Sequence, residues 1–163
     1  VKGNENGDFE PERQITRAEF AALAVRAAGG DTVAYKEAFQ DVYVNDWYAT
    51  EVQTARDYGW IVGDGEFFRP NDAITRAEAV AILCRIYVPD TDKNLIQQPV
   101  FTDSSSFENW AIPYIVQAAG LGLVNGYADG SFKPNAETTR AEAVVMLGRA
   151  ENIAKEGLTY ENK

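Results

Sequence analysis

Apolar residues recur along this chain at helical intervals in two alternating kinds of segment. In the first kind, Tyr48, Val52 and Ala55, and later Ile112, Ile115, Val116 and Ala119, lie at spacings that line one face of an α-helix. Asp46-Trp47 and Asn109-Trp110 precede these runs. With the Asp or Asn as N-cap, the spacing predicts helices from Trp47 toward Gly59 and from Trp110 toward Gly122. The second kind opens on Thr-Arg-Ala-Glu at Thr16, Thr75 and Thr139 and carries Leu23, Leu83 or Leu147 inward. Between the two kinds lie the loops "GDGEFFRP" and "GYADGSFKP", whose glycines suit turns of positive φ. Nothing alternates long enough to demand a strand, although a short pairing around Phe67-Phe68 is compatible with the pattern. The stretch "VPDTDKNLIQQPV", Val88–Val100, reads as the least structured. The expected class is all-α.

The same words return in the same order. "FQDV" at Phe39–Val42 answers "FTDS" at Phe101–Ser104, and "GWIVG" at Gly59–Gly63 answers "GLVNG" at Gly122–Gly126. "FRP" at Phe68 and "FKP" at Phe132 each precede a Thr-Arg-Ala-Glu by equal spacing. The opening "VKGNENGDFEP" aligns without a gap on "VNGYADGSFKP", Val124–Pro134. Three repeats of roughly 60 residues follow from this, a period long for a solenoid unit. Their expected bounds are 1–38, 39–100 and 101–163, the first copy lacking its N-terminal half.

Threonine and glutamate in the recurring word have a local explanation, the capping box, in which the hydroxyl and the carboxylate each accept the other residue's amide. The arginine does not. Arg17, Arg76 and Arg140 stand in the first helical turn, where the macrodipole favours acids. Two readings stay open: a structural partner within the fold, or an external anion at a helix N-terminus whose amides already attract one. Arg26, Arg85 and Arg149 recur nine residues later, near the helix end, where a cation complements the dipole.

Composition narrows the function. A formal charge of −10 and a pI near 4.5 argue against nucleic-acid binding and against docking on anionic lipid. No run approaches the roughly 20 apolar residues of a membrane span, so membrane insertion is not expected, and no basic-then-apolar leader opens the chain. The absence of histidine removes the commonest general base and a common metal ligand. No nucleophile or metal spacing stands out, and "NENGD" and "YADG" lack an EF-hand register, so neither enzyme nor cofactor is expected. Cys84, the lone cysteine, aligns with Val25 and Gly148 and reads as a small core residue.

Phe-x-Asp, Trp, Gly-apolar-x-x-Gly, Phe-x-Pro and Ile-Thr-Arg-Ala-Glu, in that order over essentially the whole chain, resemble the S-layer homology domain. The resemblance implies a noncatalytic bacterial surface anchor of three tandem copies forming a pseudo-threefold helical prism. It implies grooves that hold secondary cell-wall polysaccharide, often bearing pyruvate ketals, or a peptidoglycan-linked glycan. By the same resemblance Arg17, Arg76 and Arg140 would contact the glycan's acid, and Gly63 and Gly126, with Gly3 as their first-copy counterpart, would let backbone approach sugar. Trp47 and Trp110 would stack on a sugar face, against the alternative that a Trp opening an amphipathic helix belongs to the core. Asp41 and Asp103 would either be cap residues or orient the arginines. Lys133, matched by Arg69 and Glu10, would by the same resemblance be a further and weaker contact. Thr138 replaces the motif isoleucine, which should affect packing more than ligand. An alternative is an assembly module, with self-association through the incomplete first copy.

Overall fold

The computed structural model describes residues 7–88 and 101–161, so Gly3 and all but the first residue of the Val88–Val100 stretch lie outside the described residues. Among the described residues there are five α-helices, one 3-10 turn at Ser104–Ser106 and isolated bridges in place of strands, as the all-α expectation required. None of these helices is long and apolar enough to cross a membrane. The chain divides into two compact units, Val1–Ile74 with Glu137–Ala143, and Thr75–Ala136 with Val144–Lys163.

In the first unit α1 (Arg17–Ala28) packs on α2 (Ala49–Asp57). Alanines 18, 21, 22 and 24 are all buried on α1, which permits close approach, and Phe20 and Val25 join Phe39, Val42, Val52 and Phe68 in the core. Each such large apolar side chain stabilises the fold by about 1.5–3 kcal/mol when fully buried. A buried carboxylate on α2 interrupts this packing. Glu51 accepts from Arg26 Nε at 2.9 Å and from its terminal nitrogen at 2.5 Å. Burial opposes ionisation of Glu51, but the hydrogen bonds from Arg26, its own amide and Thr50, together with the Arg26 charge, outweigh it and the carboxyl titrates below its usual range. Gln53, one helical turn from Asp57, accepts the main-chain amides of Lys36 and Ala38 and so fastens the segment after α1.

The predicted start of α2 needs correction. The helix begins at Ala49, two residues beyond Trp47, and its N-cap is Tyr48 without a side-chain bond. Asp46 instead turns back to accept the amide of Tyr43 at 2.8 Å, while its own carbonyl takes the amide of Ala49. Asp is a good cap because it bonds a nearby amide, and the same preference also closes turns.

In the second unit α3 (Arg76–Tyr87) packs on α4 (Ile112–Gly120), and α5 (Arg140–Glu161) contributes its part from Val144 onward. Here too the predicted start shifts: α4 opens at Ile112 on an Ala111 cap with no side-chain bond, and a proline at its second position needs no amide partner. Val80, Leu83, Ile115, Leu123, Phe132, Leu147 and Ala150 are buried. Tyr114 occupies the place of Glu51, and its hydroxyl accepts from Arg85 Nε at 3.0 Å. Arg26 and Arg85 thus have side-chain partners on the neighbouring helix, beyond the dipole term expected for them. Cys84 is buried, donates to the Tyr114 carbonyl at 3.7 Å, and burial pushes its thiol up to about 12.

All three capping boxes form. Thr16 with Glu19, Thr75 with Glu78 and Thr139 with Glu142 exchange side-chain and amide bonds of 2.9–3.3 Å. Each reciprocal cap stabilises its helix start by about 1 kcal/mol. The residues just ahead of them meet within the first unit. Ile15 donates its amide to Thr138, Thr138 donates to Ile74 and Ile74 donates to Ile15, a closed ring of main-chain bonds of 2.9–3.0 Å. All three side chains are buried. The Thr138 hydroxyl has no hydrogen-bond partner there.

Candidate functional site

The candidate site is built from three loops and three helix starts. The loop phenylalanine is followed by Glu10, Arg69 or Lys133 at φ of 51°, 58° and 57°, then by proline. This left-handed turn is held, in the two copies that have it, by the Phe-x-Asp carboxylate. Asp41 accepts the amides of Phe68 and Arg69 at 2.8 and 2.7 Å, and Asp103 those of Phe132 and Lys133 at 2.9 and 2.8 Å. Charged acceptors on two adjacent amides make a strong clamp. The phenylalanine of the same segment packs on the loop phenylalanine, Phe39 stacked on Phe68 at 5.4 Å and Phe101 tilted against Phe132 at 5.5 Å.

Each helix start seats in the loop of the next repeat. Arg17 Nε donates to the Phe68 carbonyl at 2.8 Å, Arg76 Nε to Phe132 at 3.0 Å and Arg140 Nε to Phe9 at 2.9 Å. The guanidinium lies 5.0–5.1 Å from the centroid of the same phenylalanine ring. The arginine's own amide and that of the following alanine donate into the loop as well: Arg17 to Asp72 and Ala18 to Pro70, Arg76 to Ala136 and Ala77 to Pro134, Arg140 to Arg13 and Ala141 to Pro11. This corrects the idea of a ready anion site of open amides at the helix N-terminus. The first three amides of each helix are used, two by the loop and the third by the cap threonine. The same bonds account for a cation where the macrodipole disfavours one: a carbonyl and an aromatic face hold it. These three arginine residues are buried, at 6–7% exposure. Arg140 also approaches Glu19 at 4.0 Å.

Asp41 and Asp103 thus bond the loops whose phenylalanine carbonyls accept from Arg17 and Arg76. Gly63 and Gly126 have a packing reason for lacking a side chain. A Cβ on Gly63 would fall 2.4 Å from the Phe39 ring and 2.7 Å from the Phe67 carbonyl, and on Gly126 2.9 Å from the Phe101 ring and the Ser131 carbonyl. Trp47 and Trp110 do not belong to the core; they are 58% and 43% exposed. Trp47 meets Tyr48 and the Arg26 guanidinium, and Trp110 donates to Glu108, so their contacts lie outside the arginine stations. Lys133 stands 4.4 Å from the Tyr127 ring centroid, and Arg76 faces the same ring at 4.7 Å. Tyr127 was not expected in the site; its place in "GYADG", one residue after Gly126, is the signal that could have found it. No group of three or more acidic or cysteine side chains is arranged for a metal among the described residues.

The sequence pattern of the S-layer homology domain matches residues 1–21, 38–80 and 100–144. The chain belongs to the S-layer homology family. Its three matched segments include all the helix starts and loops above, and the first is partial. The chain is similar to an amylopullulanase of Thermoanaerobacterium thermosulfurigenes, 39% identical over 90% of this chain and 8% of that protein. It is similar to a cellulosome-anchoring protein of Acetivibrio thermocellus, 32% identical over 92% of this chain and 35% of that protein. It also resembles a surface-layer 125 kDa protein of Lysinibacillus sphaericus, 32% identical over 94% of this chain and 13% of that protein. The chain thus spans 8–35% of these relatives. S-layer homology domains are anchoring modules, and the likeness to an enzyme is confined to a small part of it. Membership supports a cell-wall anchoring role at the extracellular bacterial surface.

Proposed function

We propose that this segment anchors a surface protein noncatalytically by binding an acidic, pyruvate-ketal-bearing secondary cell-wall polysaccharide where each Thr-Arg-Ala-Glu helix meets its loop. Arg17, Arg76 and Arg140 build the three stations, Asp41 and Asp103 position them, Gly63 and Gly126 keep the loop approach open, and Lys133, Trp47 and Trp110 extend the contact surface. The repeats are read as 1–38, 39–100 and 101–163. The observation that carries this reading is the threefold recurrence of one cation geometry, a guanidinium within about 5 Å of a loop phenylalanine and bonded to its carbonyl, inside an otherwise acidic chain.

Binding to isolated sacculi before and after removal of the covalently attached wall polymer tests it. Binding is expected to vanish with the polymer, and Arg76→Ala is expected to weaken it about ten- to a hundredfold, the loss of one charge-assisted bond. Retained binding to stripped peptidoglycan would overturn the reading. Assembly through the first copy is supported by one observation of its own: Phe9 is 37% exposed where Phe68 and Phe132 are 1% and 0%. Sedimentation that shows a concentration-dependent dimer, lost on Phe9→Ser, would favour that second reading.

A further inference from the structure

Gly126 follows an asparagine, and both residues of this Asn125-Gly126 pair are exposed in an irregular stretch after α4. The glycine is required, because a Cβ there would strike the Phe101 ring and the Ser131 carbonyl. The asparagine side chain is not: the second copy has Val62 at the matching place, 53% exposed, and Arg76 donates at 3.3 Å to the main-chain carbonyl of Asn125, which any residue supplies. Asparagine is among the chemically labile residues, and a following glycine leaves the next amide nitrogen unshielded by a side chain. At the neighbouring Asp129-Gly130 pair the corresponding groups are engaged. Asp129 Oδ1 accepts from the Ser131 amide at 3.0 Å and its hydroxyl at 2.6 Å, and the Gly130 amide donates to the Tyr127 carbonyl at 2.9 Å. Among the described residues neither the Asn125 side chain nor the Gly126 amide is held by such a bond.

We propose that Asn125-Gly126 is a site of spontaneous deamidation in the folded protein, and that its isoaspartyl product sets the chain's own carboxylate against Arg76. The Gly126 nitrogen gives its proton to hydroxide and attacks Asn125 Cγ. The N–Cγ bond forms, the bond from Cγ to the side-chain nitrogen breaks, and that nitrogen takes a proton from water and leaves as ammonia. Water then opens the succinimide. Cleavage between nitrogen and Cγ leaves an aspartyl residue; cleavage at the main-chain carbonyl carbon leaves a peptide that runs through Cγ and frees that carbonyl as a carboxylate. It is the carbonyl to which Arg76 donates, so a neutral acceptor becomes an ionised one, a stronger partner for a guanidinium. Arg76 then carries an internal anion where the proposed function puts an external one, and this effect on binding rests on that reading.

The whole chain is incubated folded, in mildly acidic and mildly alkaline buffer, beside the same chain unfolded in urea. Peptide mapping with isoaspartyl methyltransferase labelling resolves position 125 from Asn6-Gly7, whose asparagine lies outside the described residues. Label is expected at 125 in the folded chain at a rate close to that in urea and rising in proportion to hydroxide, and at Asp129 in urea alone. A folded chain that keeps Asn125 intact while the unfolded chain reacts, or that labels Asp129 as fast as Asn125, would overturn the modification site. The isoaspartyl form, separated by anion exchange and still melting cooperatively, is expected to bind isolated sacculi at least about tenfold more weakly than fresh protein. Equal binding would overturn the loading of Arg76. Fresh protein that fails to bind sacculi would instead overturn the acidic-glycan reading and leave the modification site standing.

Discussion

Replacing Thr138 by valine should make the protein more stable. The ring of Ile15, Ile74 and Thr138 is closed by main-chain bonds, so the side chain at 138 contributes nothing to it, and its hydroxyl lies fully buried without a partner. A buried donor and acceptor left unmade is unfavourable by about 1–3 kcal/mol. Valine keeps the β-branch and nearly the volume, so no cavity opens and the isoleucine-like apolar surroundings are retained. The expected gain is about 1–2 kcal/mol. For a chain of this size that raises the melting temperature by roughly 2–8 °C and moves the urea midpoint at unchanged slope. Thr138→Ser provides the opposite arm: it keeps the hydroxyl, loses a methyl and should be destabilised by about 1 kcal/mol. A valine variant that melts at or below the wild type would refute the claim that the hydroxyl is unsatisfied.

Two further outcomes test the frame of the site. The folded-state titration of Glu51 is depressed by Arg26, so the stability it adds is complete above the ordinary glutamate range and is lost as pH falls through the lowered value. Glu51→Gln should therefore flatten the acid limb of a stability-pH profile while lowering stability at pH 7, both read by urea titration. Gly63→Ala should destabilise by at least about 2 kcal/mol in thermal melts, because its φ of 74° disfavours a Cβ and the Phe67 carbonyl stands in the way.

The parts of this structure that were legible in the sequence are those decided within one turn of chain. Thr16 and Glu19 lie three residues apart and cap each other whatever surrounds them, and Cys84, aligned with the buried Val25, is itself buried as a small core residue. The start of α2 misled because Asp46 has two amides within reach and takes that of Tyr43. The arginines were recognisable as anomalous, but their partners were not: Phe68 lies 51 residues from Arg17 and Phe9 lies 131 from Arg140, and no periodicity reports such a pairing. Exposure of Trp47 and Trp110 was equally hidden, since a helical pattern gives the face of α2 or α4 but not where the residue just outside it points.

The passing of each arginine to the following loop, with the last returning to the first, bears on how such an array can change by gene duplication. A fourth copy inserted after the third would have to take Phe9 from Arg140, and deletion of the middle copy would leave Arg17 facing a loop shaped by a different partner. Each copy's helix start is thus tied to another copy's loop, so a gain or loss of one copy disturbs its neighbours, whereas the charges displayed on the loops are free to diverge one by one.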